Sequence, residues 1–159
     1  MSALWKTETQ QDMEYWFQRC LSHDSYIFKK GIIKRMNPVF VSCSYEQKTL
    51  TLEFVVQDWQ INPEGILHGG IFVTAFDTAF GMLCHYYAKQ NMINTIEIST
   101  TFLKPVPENC KYQITVTANH VGKTITSMTA KAVSETNILL ATASSSFMRL
   151  QEKFVDIMP

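Results

Sequence analysis

The chain has 159 residues, 46% of them hydrophobic, which suits one domain with an ordinary core. Its 14 basic and 14 acidic residues give zero formal net charge, so no electrostatic argument favours nucleic acid or an anionic membrane surface. No stretch of about 20 residues is uniformly apolar, and the first residues lack the pattern of a secretion signal. We therefore expect a cytoplasmic protein with neither a membrane nor a nucleic acid as its partner.

The four cysteines are widely spaced along the chain, at Cys20, Cys43, Cys84 and Cys110. They form no Cys-x-x-Cys motif and no Cys/His ligand pattern. The spacing therefore predicts free thiols, with no metal site and no disulfide framework.

An N-terminal helical extension is predicted for residues 1–37, packed on a single domain that spans residues 38–152. Residues 9–22 form its helix, with Thr9 as a candidate cap. Apolar residues recur there at the spacing of one buried helical stripe. The stripe consists of Met13, Trp16, Phe17 and Cys20.

The second half of this extension is locally basic, because residues 23–37 include Lys29, Lys30, Lys34 and Arg35. Such a group is usually a solvated face. The alternative is contact with the phosphates of a bound cofactor or substrate.

Strands are predicted at residues 39–44 and 49–57, because apolar and polar residues alternate in the second of these runs. Four more strand-like runs follow a central helix, at about 94–104, 110–121, 124–135 and 138–150. Gly122-Lys123 and Thr136-Asn137 fit tight hairpin turns. Two strands, one long helix and four strands predict an α+β fold in which a curved antiparallel sheet surrounds the helix.

The central helix is predicted over Gly69–Tyr87. Between His68 and His85 the only formal charge is Asp77. A carboxylate in an apolar stretch costs free energy unless it is solvated or paired. Asp77 therefore lies either on an exposed strip of the helix or in a functional site.

The segment Asn62-Pro63-Glu64-Gly65-Ile66-Leu67-His68-Gly69-Gly70 leads into this helix. Glycine lets the backbone approach a ligand closely, and the first N–H groups of a helix have no intrahelical partner. With the positive end of the helix dipole, these groups favour an anion or a developing oxyanion. The alternative is an ordinary glycine-rich start of a helix.

Helix geometry separates the two candidate features. His68 and Asp77 are nine positions apart, which is about 13 Å along a helix and about 180° around it. Gly70 and Asp77 share a face but lie about 10 Å apart. One helix cannot bring its own N-terminus and its own Asp77 to one reacting atom, so a shared function predicts a homo-oligomer with its sites between subunits.

The pattern N-P-x-G-x-x-H-G-G-x6-D resembles the signature of the hot-dog-fold acyl-CoA thioesterases, in particular the small phenylacetic-acid-pathway (PaaI-like) type. The similarity continues in residues 94–105 and 121–124 and covers roughly residues 40–150. It implies a hot-dog fold with an extra N-terminal helix, and hydrolysis of acyl-CoA thioesters. It also implies a homodimer that pairs into a homotetramer. No separate cofactor is implied, because coenzyme A is part of the substrate.

The resemblance also implies catalytic roles for particular residues. Asp77 matches the acidic base or nucleophile that the neighbouring subunit supplies, and Gly69 matches the glycine whose amide meets the thioester oxygen. Asn62 would place the water or the carbonyl, while His68 would orient the loop. Thr95 matches a hydroxyl that holds the water, although a plain strand hydroxyl is its alternative.

Substrate binding is predicted for Gly70, Lys104, Lys123 and Thr124, because coenzyme A is polyanionic and basic residues should rim the entrance. Arg149 is a further candidate. The family often has an arginine-rich turn where this chain has Gly122-Lys123-Thr124, so the grip on the phosphates is left open. Candidates for an aryl or medium-chain acyl pocket, or simply for the core, are Phe72, Phe76, Phe80, Met82 and Trp16.

Two rival functions remain. The first is an acyl-thioester dehydratase or hydratase. A resemblance to the dehydratases of this fold would require a loop His paired with an acid fourteen positions later, where this chain has Met82. The hydratase relatives place Asp five positions before the His, where this chain has Pro63. The other rival is a non-catalytic acyl-CoA-binding module.

Overall fold

The computed structural model describes residues 8–153. Its helices are α1 (Gln10–Cys20), α2 (Ile32–Met36) and α3 (Gly69–Ala88). Short 3-10 turns lie at Tyr26–Phe28 and Asp58–Gln60. The strands are β1 (Val39–Ser44), β2 (Thr49–Val55), β3 (Asn91–Phe102), β4 (Lys111–Val121), β5 (Ile125–Ser134) and β6 (Leu139–Lys153).

All six strands form one sheet in the order β1-β2-β4-β5-β6-β3, and every neighbouring pair is antiparallel. Helix α3 connects β2 to β3, so the chain crosses the sheet between these strands and β3 lies at its far edge. The predicted α+β fold, with a curved antiparallel sheet around a long helix, is confirmed.

Helix α3 packs along the inner face of the sheet, where it contacts β2, β3 and β4. Its stripe of apolar side chains is fully buried against alternating residues of those strands, such as Leu52 and Ile114. Burial of each large apolar side chain contributes about 1.5–3 kcal/mol. The small residues Ala141 and Ala143 of β6 are also buried in this core.

Helix α1 covers one end of this core. Thr9 caps it, because the Asp12 N–H donates to Thr9 Oγ1 at 3.1 Å. The predicted stripe is buried, and the rings of Trp16 and Phe17 lie 5.7 and 5.6 Å from that of Tyr86 on α3. The predicted N-terminal helix is therefore present, and residues 1–7 of the predicted extension lie outside the described part of the chain.

Both predicted hairpin turns are present. The Gly122 N–H donates to the Ile125 carbonyl at 2.9 Å, and Asn137 adopts a positive φ of 61°. Within residues 8–153, no helix combines the length and the apolar character that crossing a membrane would require.

Candidate functional site

Asn62 organises the loop before α3. Its side-chain oxygen accepts hydrogen bonds from the N–H groups of Glu64 and Ile66, at 3.1 and 3.2 Å. Its backbone exchanges further bonds with Gly65 and Ile66, and Gly65 has a positive φ of 75° that suits glycine. Asn62 therefore holds the loop shape that delivers the chain to the start of α3.

His68 is the N-cap of α3. Its Nδ1 accepts a hydrogen bond from the Gly70 N–H at 3.0 Å, and its own backbone N–H donates to the Gln60 carbonyl at 2.8 Å. The hydrogen bond to His68 therefore uses the Gly70 N–H, which is not available to a ligand. The Gly69 amide has no hydrogen-bond acceptor among residues 8–153, so it is one of the N–H groups at the start of α3 that are open to a ligand.

Gly69 lines an open cleft of about 360 Å³. The Phe102 ring covers the glycine, since a Cβ at Gly69 would lie 3.4 Å from it. Polar groups come from Asn62 and Lys104, and the rest of the lining is mainly apolar. The apolar lining comprises Ile66, Leu67, Phe72, Phe102, Leu103, Pro105 and Val106. The cleft thus pairs an unoccupied amide donor with an apolar wall, as ligand pockets commonly do.

The second cluster lies further along α3, where Asp77 faces β3. The Thr95 hydroxyl donates a hydrogen bond to Asp77 Oδ1 at 2.9 Å. The pairing of β3 with β6 shifts between Thr95 and Glu97, an irregularity of the kind that re-aims a strand side chain. Asp77 is half-buried, and no cation lies within 4.0 Å of it among residues 8–153.

These two clusters stay apart within one chain. Asn62, Gly69 and Lys104 line the cleft, whereas Asp77 and Thr95 do not. This separation agrees with the distance predicted along the helix. A reaction that uses both clusters therefore needs a second copy of the chain.

Lys123 and Thr124 lie in the exposed turn between β4 and β5, away from the lining of the cleft. The Thr124 carbonyl accepts the Arg149 N–H at 2.7 Å, and the Arg149 guanidinium donates to Asn91 at 2.9 Å. Their predicted contact with coenzyme A stays a prediction, as do the other substrate-binding assignments.

Of the acyl-pocket candidates, Phe72 lines the cleft. The others are buried in the core, namely Trp16, Phe76, Phe80 and Met82. Phe102, Leu103 and Val106 also line the cleft, although no sequence motif marks them. The alternation of β3 could have placed Phe102 on the helix-facing side.

The cysteines form no disulfide, and Cys84 is not an activated nucleophile. All four are free thiols, and burial raises the pKa of Cys84 to about 11, so this thiol stays protonated at neutral pH. Over residues 8–153, no group of three or more His, Cys, Asp or Glu side chains could hold a metal ion.

Comparison with known proteins gives one family match and several similar solved structures. The thioesterase superfamily model matches residues 64–141, a segment that contains both Gly69 and Asp77. The structure of the E. coli PaaI protein from the phenylacetic acid degradation operon superimposes with a TM-score of 0.71 at 17% identity, over 80% of this chain and 89% of that one. The predicted resemblance to the hot-dog thioesterases is confirmed.

Two further relatives are similar. The structure of smu.793 from Streptococcus mutans UA159, which is bound to acetyl-CoA, has a TM-score of 0.68 and 18% identity over 79% of this chain and 97% of that one. An Archaeoglobus fulgidus protein named "Putative esterase" is 26% identical over 65% of this chain. The match spans 66% of that relative, just under two thirds of its length.

Proposed function

We propose that this protein hydrolyses acyl-CoA thioesters to the free acid and coenzyme A. The observation that carries the proposal is the pair of complementary clusters on α3. One is an unoccupied Gly69 amide on an apolar cleft, and the other is the Asp77 carboxylate bonded to the Thr95 hydroxyl at 2.9 Å. The match of the thioesterase superfamily to the segment that holds these residues supports it.

The Gly69 N–H would hold the thioester oxygen. As water adds to the carbonyl carbon, negative charge develops on that oxygen, and a fixed amide donor at a helix N-terminus stabilises it. Removal of one such donor typically costs about 2.7–4 kcal/mol of transition-state stabilisation. Asn62 would act by keeping the loop that presents Gly69, and His68 by capping the helix.

Asp77 would supply the base. Its carboxylate takes a proton from the attacking water, and the tetrahedral intermediate then expels the coenzyme A thiolate. The Thr95 oxygen can accept a hydrogen bond from this water while its own O–H still donates to Asp77. The alternative is direct attack by Asp77 to form a mixed anhydride, which water then hydrolyses.

The site would be shared, with Asp77 and Thr95 of one protomer facing Gly69 of its partner. The exposed edge of the sheet supports this arrangement, because β3 pairs with β6 on one side only and Ile96 at its middle is 50% exposed. A long edge strand with exposed apolar residues is prone to pair with another chain. We propose a homodimer that pairs into a homotetramer, located in the cytoplasm.

The acyl group would lie against Phe72 and Phe102. An open cleft of about 360 Å³ suits a small aryl group or a short to medium chain. Lys104, at the rim, would face the anionic part of the substrate.

Release of free thiol from a panel of aliphatic and aryl acyl-CoA substrates tests this function. We expect Asp77→Asn to lower kcat by several orders of magnitude with an unchanged circular dichroism spectrum. Glu135→Gln, in the exposed turn between β5 and β6, is the matched control and should keep full activity. Full activity in Asp77→Asn would refute the mechanism. Binding of acyl-CoA without thiol release would favour the non-catalytic module.

A further inference from the structure

A second hollow, of about 400 Å³, lies between α2 and the 3-10 turn at Asp58–Gln60. It shares no residue with the cleft at Gly69. Its lining consists of Lys34, Arg35, Asn37, Gln57 and Trp59. Two of these five residues are cationic, and none is acidic.

A closed set of contacts fixes the floor of this hollow. The Arg35 guanidinium lies over the Trp59 ring, 4.6 Å from its centroid. The Trp59 indole N–H donates to the Gln57 side-chain oxygen at 3.1 Å, and the Gln57 amide donates to the Arg35 carbonyl at 2.8 Å. Arg35 is therefore held in place before any ligand arrives, unlike a free surface arginine.

The cationic donors here are not used by the protein itself. In the part of the chain that the structure describes, the side chains of Lys34, Arg35 and Asn37 have no ion pair or hydrogen bond. The contact with the ring uses none of the guanidinium N–H groups as hydrogen-bond donors, so they are free for an anion. The Asp58 carboxylate accepts the backbone N–H of Trp59 at 2.7 Å and does not line the hollow.

The alternative explanation is that the positive charges of Lys34 and Arg35 interact favourably with the negative end of the α2 helix dipole. That role needs neither the stack on Trp59 nor the Gln57 bridge. Helix α2 is also only five residues long, so its dipole is small. The position of Arg35 over Trp59 is better explained by an anionic ligand.

This hollow and the active-site loop are joined through one residue. The buried Gln60 side chain contacts Met36 Sδ at 3.5 Å, next to Arg35, and the Gln60 carbonyl accepts the His68 N–H at 2.8 Å. The 3-10 turn at Asp58–Gln60 therefore contacts both the hollow and the start of α3. A substrate that carries its phosphates on a long flexible arm, far from its thioester, can engage both places.

Building on the proposed function, we propose that this hollow binds the 3′-phosphorylated ADP end of acyl-CoA. Lys34 and Arg35 hold its phosphate oxygens, and Asn37 adds a neutral donor. The chemistry recognised is a nucleotide phosphate, and acyl-CoA is its source. The zero net charge of the chain makes such local cations necessary for holding a polyanion.

The first test compares two substrates with the same acyl group, acyl-CoA and the acyl-pantetheine thioester, which lacks phosphates. In Lys34→Gln/Arg35→Gln we expect KM for acyl-CoA to rise roughly tenfold with kcat unchanged, since charged hydrogen bonds to phosphate are lost. KM for acyl-pantetheine should not change. Lys30→Gln, an exposed lysine of the same segment that does not line the hollow, is the control.

An equal rise in KM for both substrates, or no rise for acyl-CoA, would overturn the assignment. A circular dichroism melt of each variant separates binding from folding. Partial restoration of KM by Arg35→Lys, which returns the charge without the planar fork, would support a phosphate contact.

A second test does not depend on catalysis. Calorimetry should show that 3′,5′-ADP binds the wild-type protein and binds the double variant about tenfold more weakly. Inorganic phosphate that binds as tightly as 3′,5′-ADP would indicate a site for free phosphate and overturn the nucleotide assignment. If no thioester is hydrolysed, the proposed function fails, while loss of 3′,5′-ADP binding in the double variant still supports this site.

Discussion

The hydroxyl of Thr95 on β3 donates to the carboxylate of Asp77 on α3, at 2.9 Å. These residues lie 18 positions apart and come from different elements, yet the bond fixes which carboxylate oxygen is already occupied. In the proposed mechanism, the other oxygen of Asp77 takes the proton from the attacking water. A substitution that removes the hydroxyl distinguishes the proposed role of Thr95, orienting Asp77, from that of a plain strand hydroxyl.

Thr95→Val should lower kcat by about 10- to 100-fold with little change in KM, because the carboxylate loses the hydroxyl that orients it. Thr95→Ser keeps the hydroxyl and should retain most of the activity. Steady-state kinetics on the best acyl-CoA of the panel measures the effect. Thr101→Val, on the same strand, is the control, and an equal loss there would show that the effect belongs to β3 as a whole.

Phe102→Ala should change the acyl preference, because this ring covers Gly69 and contacts Phe72 at a centroid distance of 5.8 Å. Loss of an aromatic contact of this kind is worth about 0.5–1.5 kcal/mol beyond burial, so KM for an aryl substrate should rise roughly tenfold. Competition between aryl and short aliphatic acyl-CoA measures the preference.

Leu139→Ala provides the comparison for Phe102→Ala. Leu139 is also an exposed apolar residue, but it does not line the cleft. An unchanged aryl preference in Phe102→Ala, or the same change in Leu139→Ala, would remove Phe102 from the acyl site.

The elements of this fold could be predicted because their periods are regular. Alternation identified β2 and the later strands, and one apolar stripe identified α3. The separation of Asp77 from His68 and Gly70 also followed from helix geometry. These features depend on local sequence, where a period of two or of 3.6 residues decides which face is buried.

The contacts across elements could not be predicted in the same way. The approach of Phe102 to Gly69 joins residues 33 positions apart and depends on the sheet pairing and the irregularity in β3. Thr95 was assigned from the family resemblance and not from spacing. The stack of Arg35 on Trp59 likewise requires α2 to fold back on the turn after β2.

His68→Ala should lower the free energy of unfolding more than it lowers kcat. It removes the Nδ1 acceptor that caps α3 at Gly70, a loss that typically costs about 1 kcal/mol. His68→Asn, which can also cap, should restore the free energy of unfolding. Urea unfolding measures this, and an unaltered pH profile of kcat in His68→Asn would agree with a positioning role. Loss of the pH dependence would instead assign proton transfer to His68.

The free energy of unfolding should fall as the pH drops from about 6.5 to about 4. Burial lowers the pKa of His85 from 6.5 to about 4, so over this range the unfolded chain binds a proton that the folded chain does not. The loss should reach at most ~1.4 kcal/mol per pH unit. Urea unfolding at several pH values measures it. His85→Gln, which does not titrate, should flatten this part of the curve, and an equal slope in both proteins would show that other groups cause it.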